Sequence, residues 1–166
     1  MREDLLHYIW KNGKIPLSNL YTSRRKSLQI ISLGIHNHDA GPDFLHAKLE
    51  IDGQLWVGNV EIHVKASDWY AHQHNTDTNY DNVILHVVWE ADTVVYRKNK
   101  EEIPALELIN CIPKVILNNY YKLFGTAKDN FINCEREVSL VAGFKFSFWP
   151  ERLYFERLEE KSNEIN

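Results

Sequence analysis

Residues 37–69, NHDAGPDFLHAKLEIDGQLWVGNVEIHVKASDW, concentrate the side chains best suited to chemistry. Asp43 follows Pro42, Asp52-Gly53 interrupts two apolar runs, and Glu61, His63 and Lys65 recur at every second position. Successive side chains of a strand alternate faces, so these three project to one side, while Val60, Ile62 and Val64 project to the other. Ionisable groups on a strand backed by aliphatic residues are costly unless something uses them. An acid ahead of a hairpin and another on its second strand suit a divalent cation. The carboxylates supply hard oxygen ligands, and a third group orients or deprotonates water.

In that reading Asp43, Glu61 and the backbone carbonyl of Ile62 hold Mg²⁺ or Mn²⁺. The two carboxylates then lie roughly 3–5 Å apart, each reaching the ion at about 2.1–2.4 Å. The alternative makes Asp43 a turn acid after proline and Glu61 an edge charge. His63 would orient the attacking water, or act as a base with an ordinary pKa of about 6.5, below which activity falls. Imidazole also favours Mn²⁺ over Mg²⁺. The alternative for His63 is a hydrogen-bonded strand histidine. Lys65 shares the face of Glu61 but sits roughly 13 Å further along an unbulged strand, where it meets a phosphate or solvent.

Other residues form an outer set. His36, His38, His72 and His74 make two i, i+2 pairs in loops near Asp39 and Asp77, but their spacing matches no standard zinc motif, and a structural role is favoured. His86 interrupts an aliphatic strand and, if buried, needs a partner. Asp81 or the active face could supply it, which makes His86, Asp81 and His38 accessory candidates. Arg24, Arg25 and Lys26 are the densest positive run and could contact a nucleic-acid backbone, although a solvated loop explains them too. Trp69 and Tyr70 could stack on bases or simply pack in the core. No Walker loop, GxSxG elbow or HExxH occurs.

These residues need elements to position them. Residues 3–11 place Leu5, Leu6, Ile9 and Trp10 on one helical face, and Asn12-Gly13 stops that helix. Residues 27–34 read as a strand, followed by a loop over 36–42 in which Pro42 restrains the backbone. Residues 44–51 and 54–66 form a hairpin closed by Asp52-Gly53. Ser67 can cap a short helix over 68–72, and a polar loop runs to Asp81. The apolar run 82–90 reads as a strand buried on both faces. Further strands are expected over 93–97 and 103–108, and a helix from Pro113 to about Phe124, closed by Gly125. Residues 131–146 fit no single pattern. A last amphipathic helix starts at Pro150, with an apolar stripe including Leu153 and Leu158 that wants a partner.

At 166 residues the chain is expected to form a single domain able to bury a core. Its 44% hydrophobic and 25% charged content are ordinary for a globular protein. A formal charge of −4 provides no global positive field for nucleic acid, so such binding requires a local patch. Cys111 and Cys134 form no CxxC pair, which fits a reducing compartment. No apolar run reaches membrane-span length, and the His7-broken N-terminal stretch does not read as a signal peptide. The expectation is a cytoplasmic protein with no organic cofactor.

The order helix, strand, two-stranded hairpin, helix, strand resembles the αβββαβ core of the PD-(D/E)XK, restriction-endonuclease-like nuclease superfamily. There a Pro-Asp pair precedes the second strand and an acid-x-Lys triplet lies on the third. Here Pro42-Asp43 and Glu61-Ile62-His63 take those places, with His63 where the superfamily usually has lysine. GPDF, GNVEIHV, SDWY, YDNVILHVV and WPERL…ERLEEKS also resemble the N-terminal half of an uncharacterised bacterial family, domain of unknown function 2851. Its members are usually longer, which implies that this chain is one part of a larger architecture.

The resemblance implies an α/β fold with a mixed central sheet flanked by helices and a C-terminal helical extension. It also implies metal-dependent hydrolysis of DNA or RNA. The alternatives are a catalytically inactive nuclease-fold module that binds nucleic acid or protein, and a His/Asp metal hydrolase acting on a small molecule. Ligation by His72 and His74 is the mark of the last. Expected partners are nucleic acid, a second copy of the chain, or a missing C-terminal lobe.

Overall fold

A computed structural model describes residues 2–125 and 143–165. The ambiguous stretch 131–146 lies mostly outside them, as does Cys134. The chain divides into two compact units, Met1–Leu117 and Asn118–Asn166. Among the described residues of the first unit, seven strands form one mixed sheet. They are β1 (Leu20–Tyr21), β2 (Ser27–Ser32), β3 (Ile35–His36), β4 (Phe44–Ile51), β5 (Gln54–Lys65), β6 (Val83–Glu90) and β7 (Ala105–Glu107). The spatial order is β1-β2-β4-β5-β6-β7, with β3 paired to β4. Pairings from β1 through β5 are antiparallel, whereas β5-β6 and β6-β7 are parallel. The two ends of this order return to each other, since the Ser23 amide donates to the Ala105 carbonyl at 2.8 Å and leaves the sheet nearly closed.

Each element has a local cause. In α1 (Glu3–Lys11), Leu5, Leu6, Ile9 and Trp10 are buried, and Asn12 and Gly13 end the helix as expected. The β4-β5 hairpin turns at Asp52 and Gly53, both with positive φ (49° and 78°), the geometry of a two-residue primed turn. Asp52 Oδ1 accepts from the Ser27 amide at 2.8 Å and so ties the turn to β2. β6 is buried from Val83 to Val88 on both faces. This burial accounts for its lack of apolar-polar alternation.

Two irregularities shape the strands that carry the candidate residues. Between Phe44 and Ala47 the β4-β5 register shifts, and His46 takes a left-handed φ of 58°. The β5-β6 register shifts between Asn59 and Val60, where Gly58 lies so close to Asn82 and Ile84 that no side chain fits. From Val60 to Lys65 the β5-β6 pairing is regular, so Glu61, His63 and Lys65 keep their alternation.

Several expectations need correction. Residues 93–97 form no strand, only a bridge between Tyr96 and Glu102. Their polar groups go elsewhere: the Tyr70 hydroxyl donates to the Val94 carbonyl and accepts from the Tyr96 amide. Ser67 does not cap α2 (Asp68–Ala71) with its side chain, because its hydroxyl donates to Asp92 Oδ2 at 2.7 Å. The loop expected over 36–42 begins one residue later, after β3, and the strand expected over 27–34 ends at Ser32. A 3₁₀ turn at Thr78–Tyr80 is capped by the Asp77 side chain.

The helix expected from Pro113 is α3 (Lys114–Gly125). In the second unit α4 (Gly143–Ile165) starts before Pro150 and passes through it, at the loss of one backbone donor. Phe148, Trp149, Leu153, Tyr154, Phe155 and Leu158 are exposed along it. Among the described residues no helix is long and apolar enough to cross a membrane.

Candidate metal centre

Glu61, His63 and His86 share one face of the sheet, because parallel pairing sets Glu61 beside His86 and His63 beside Val88. All three are buried, with His86 fully enclosed. Beyond the end of β5, α2 folds back over this face and Trp69 fills the space beneath it, packing with Tyr80, Val88, Val95 and Ile103. The α2 turn and the following loop deliver His72 and His74 onto His63. One ligand atom from each of His63, His72 and His74 lies within 4.8 Å of the others.

The contacts within the cluster are specific. His63 Nε2 is 3.1 Å from His72 Nδ1 and 3.6 Å from Glu61 Oε1. His63 Nδ1 meets His86 Nε2 at 2.8 Å. His74 stacks between the rings of Tyr80 and His63, with centroids at 3.8 and 5.2 Å. Its Nε2 lies 3.3 Å from Glu61 Oε1, yet this buried nitrogen has no aligned hydrogen-bond partner among the described residues. The His72 side of the cluster is exposed and the His63 side is buried, so the site opens to solvent at His72.

The electrostatics suit a metal. Burial, then the neighbouring His74 and His72, pushes His63 down to about 4, which leaves its imidazole neutral with a lone pair to donate. Burial likewise holds His86 well below the usual range. Burial raises Glu61, opposed by its contact with His74, so this carboxyl holds a proton more readily than an exposed one. The acid limit expected at about 6.5 from His63 is therefore displaced downward. Three imidazoles beside one carboxylate could hold a metal ion, and such a donor set suits Zn²⁺, Mn²⁺ or Ni²⁺ better than Mg²⁺.

Asp43 and Glu61, the expected ligand pair, are linked through backbone amides. Glu61 Oε2 accepts from the Asp43 amide at 3.1 Å, and Asp43 Oδ2 accepts from the Ile62 amide at 2.9 Å. Ile62 thus reaches Asp43 through its amide. His7 of α1 approaches the same Asp43 oxygen at 3.2 Å, and that contact raises its pKa despite partial burial. Glu3, one turn earlier, is raised by burial and senses His7, Asp43 and His72.

Several expected residues stand apart. Lys65 is exposed at the end of β5, its amide held by Asp68. Asp81 is exposed and acts on Arg97. Arg24 pairs with Glu102 at 2.9 Å, and Arg25 and Lys26 complete the tight turn into β2, with φ of 61° at Arg25 and the Lys26 amide on Thr22 Oγ1. His38 packs on His36 at 4.3 Å between ring centroids, away from His63.

The reading from sequence missed the part played by α1. Its signal was present: Glu3, His7 and Lys11 are spaced i, i+4, i+8 beside the apolar stripe. A sequence model of the family described as "Protein of unknown function (DUF2851)" matches residues 3–166. No curated protein and no solved structure matches the chain.

Proposed function

The chain belongs to the DUF2851 family, whose description carries no activity, and from the geometry of the site we propose that it is a metal-dependent hydrolase centred on His63, His72 and His74. The convergence of three imidazole ligand atoms within 4.8 Å carries this reading. The buried Nε2 of His74 supports it: it faces Glu61 Oε1 at 3.3 Å without an aligned hydrogen bond, a setting that a shared ion would satisfy. A bound Zn²⁺ or Mn²⁺ would supply Lewis acidity and make water acidic enough to act near neutral pH.

The chain's own residues do the rest. The neutral His86 fixes the orientation of His63 through the 2.8 Å contact between ring nitrogens, the outer support that metal-bound imidazoles need. Glu61, with Oε1 facing His63 and His74, is placed to take a proton from an attacking water and hold it, aided by the burial that raises its pKa. The backbone amides of Asp43 and Ile62 fix the two carboxyl groups against each other. Trp69 and Tyr80 wall the inner side, and substrate enters beside the exposed His72.

A second reading, a nuclease acting on DNA or RNA, is favoured by the order of elements. Leaving aside β1, β3 and β7, the run α1, antiparallel β2, β4 and β5, α2 and parallel β6 resembles the αβββαβ order of restriction-endonuclease-like proteins. In that reading Asp43 and Glu61 share the ion and His63 takes the lysine place.

Metal binding followed by calorimetry, with X-ray absorption at the zinc edge, tests the first reading. The expected result is one ion in a nitrogen-rich shell, with affinity reduced by about a hundredfold or more in His72→Ala and in His74→Ala. Hydrolysis of model phosphodiesters, oligonucleotides and carboxylic esters should require the same histidines. Binding unaffected by either substitution would overturn the reading. Binding lost only in Asp43→Asn would favour the nuclease arrangement.

A further inference from the structure

A second group of basic side chains lies on the other flank of Asp43. His7 and Lys11 sit one helical turn apart on α1, while His36 closes β3 and His38 follows it. The His7 and His36 rings meet edge-on with centroids 5.9 Å apart, and His36 meets His38 at 4.3 Å. Phe44 backs both His7 and His36, with centroids at 6.2 and 5.0 Å. His36 Nδ1 is buried and has no hydrogen-bond partner among the described residues. Asp43 Oδ2 faces the group at His7 but already accepts from the Ile62 amide. Burial first, then His38, Lys11 and His7, lowers the pKa of His36.

We infer that His7, Lys11, His36 and His38 form an anion subsite that holds a phosphate group of the substrate beside the histidine metal centre. Imidazoles from α1 and from the β3 segment lie together, with the charge of Lys11 felt at His36, which suits the terminal oxygens of a phosphate. The two groups are adjacent through one short path. His7 contacts Asp43, the Asp43 amide contacts Glu61, and Glu61 faces His63 and His74. Phosphate esters are then the substrate class, an assignment that rests on the hydrolase reading, whereas the anion site itself does not.

The test is titration of the metal-free full chain with inorganic phosphate, read by calorimetry and by the imidazole resonances in NMR. Wild type should bind phosphate, sulfate should compete, and acetate should not. The His36→Ala/His38→Ala double variant should bind at least about tenfold more weakly, since it removes two donors and the loss of even one charge-assisted hydrogen bond has that effect. Lys11→Glu, at an exposed position, should weaken binding at least as much and guards against a misfolded loop variant. His72→Ala should lose zinc yet keep phosphate, so failure of the metal centre and failure of the anion site appear in different titrations. Equal phosphate affinity in wild type, the double variant and Lys11→Glu would overturn the inference. So would zinc binding that survives in His72→Ala but is lost in the double variant, since the group would then be a metal site.

Discussion

At the scale of single residues, the cluster is governed by what burial does to histidine. His63 has a folded pKa of about 4 against an ordinary 6.5, so in that interval the unfolded chain binds the proton more readily than the folded one. Stability is therefore full above about 6.5 and is lost as pH falls toward 4. For His63 alone the difference between pH 7.5 and pH 5 is about 2 kcal/mol in metal-free protein. Urea unfolding at the two pH values checks this, and His63→Asn should flatten the dependence. A dependence of equal size in that variant would place its source in other groups. Saturating zinc should move the acid limit to lower pH, because a ligand that binds only the folded state stabilises it.

Among the elements, β5 does the most positioning, and it depends on the irregularities that precede Val60. An alanine Cβ at Gly58 would lie 2.5 Å from Ile84 Cγ2 and 2.6 Å from the Asn82 carbonyl oxygen. Gly58→Ala should cost about 3 kcal/mol or more and impair metal binding, because backbone must move where β5 meets β6. Gly53→Ala is the matched control. Its φ is 78° but nothing lies within 4 Å, so only backbone strain of about 1 kcal/mol applies and metal binding should persist. Thermal unfolding and zinc titration of both variants separate a register defect from simple turn strain. The hairpin was legible from Asp52-Gly53 and the flanking alternation. The shift at Asn59 was not, since nothing in the local pattern marks where two neighbouring ladders change register together.

For the whole molecule, the division after Leu117 makes a direct statement about where the candidate centre belongs. His63, His72, His74, Glu61 and the apolar group around Trp69 all lie in the first unit. A chain ending at Leu117 should therefore fold and bind metal with affinity within about threefold of the full chain, a difference of less than about 1 kcal/mol. Circular dichroism and calorimetry decide it. Loss of folding would mean that residues beyond 117 complete the core.

By itself the sequence determined the elements whose causes are local. The apolar stripe Leu5, Leu6, Ile9 and Trp10 specified α1, and the turn residues specified the β4-β5 hairpin. The uninterrupted apolar run placed β6 in the interior of the sheet. Sequence also singled out Asp43, Glu61 and His63 as one chemical neighbourhood, with His86 an accessory candidate, because strand alternation alone puts Glu61 and His63 on one side. Tertiary structure decided which other groups join them. His72 and His74 enter through a loop whose path is set by Trp69 packing under α2, and spacing along the chain carries no record of that fold-back. The same holds for His7, which reaches Asp43 only because α1 packs against β5. Residues close along the chain reveal their shared face through period, whereas residues brought together by a buried aromatic or a helix laid across a sheet reveal it only once the core has formed.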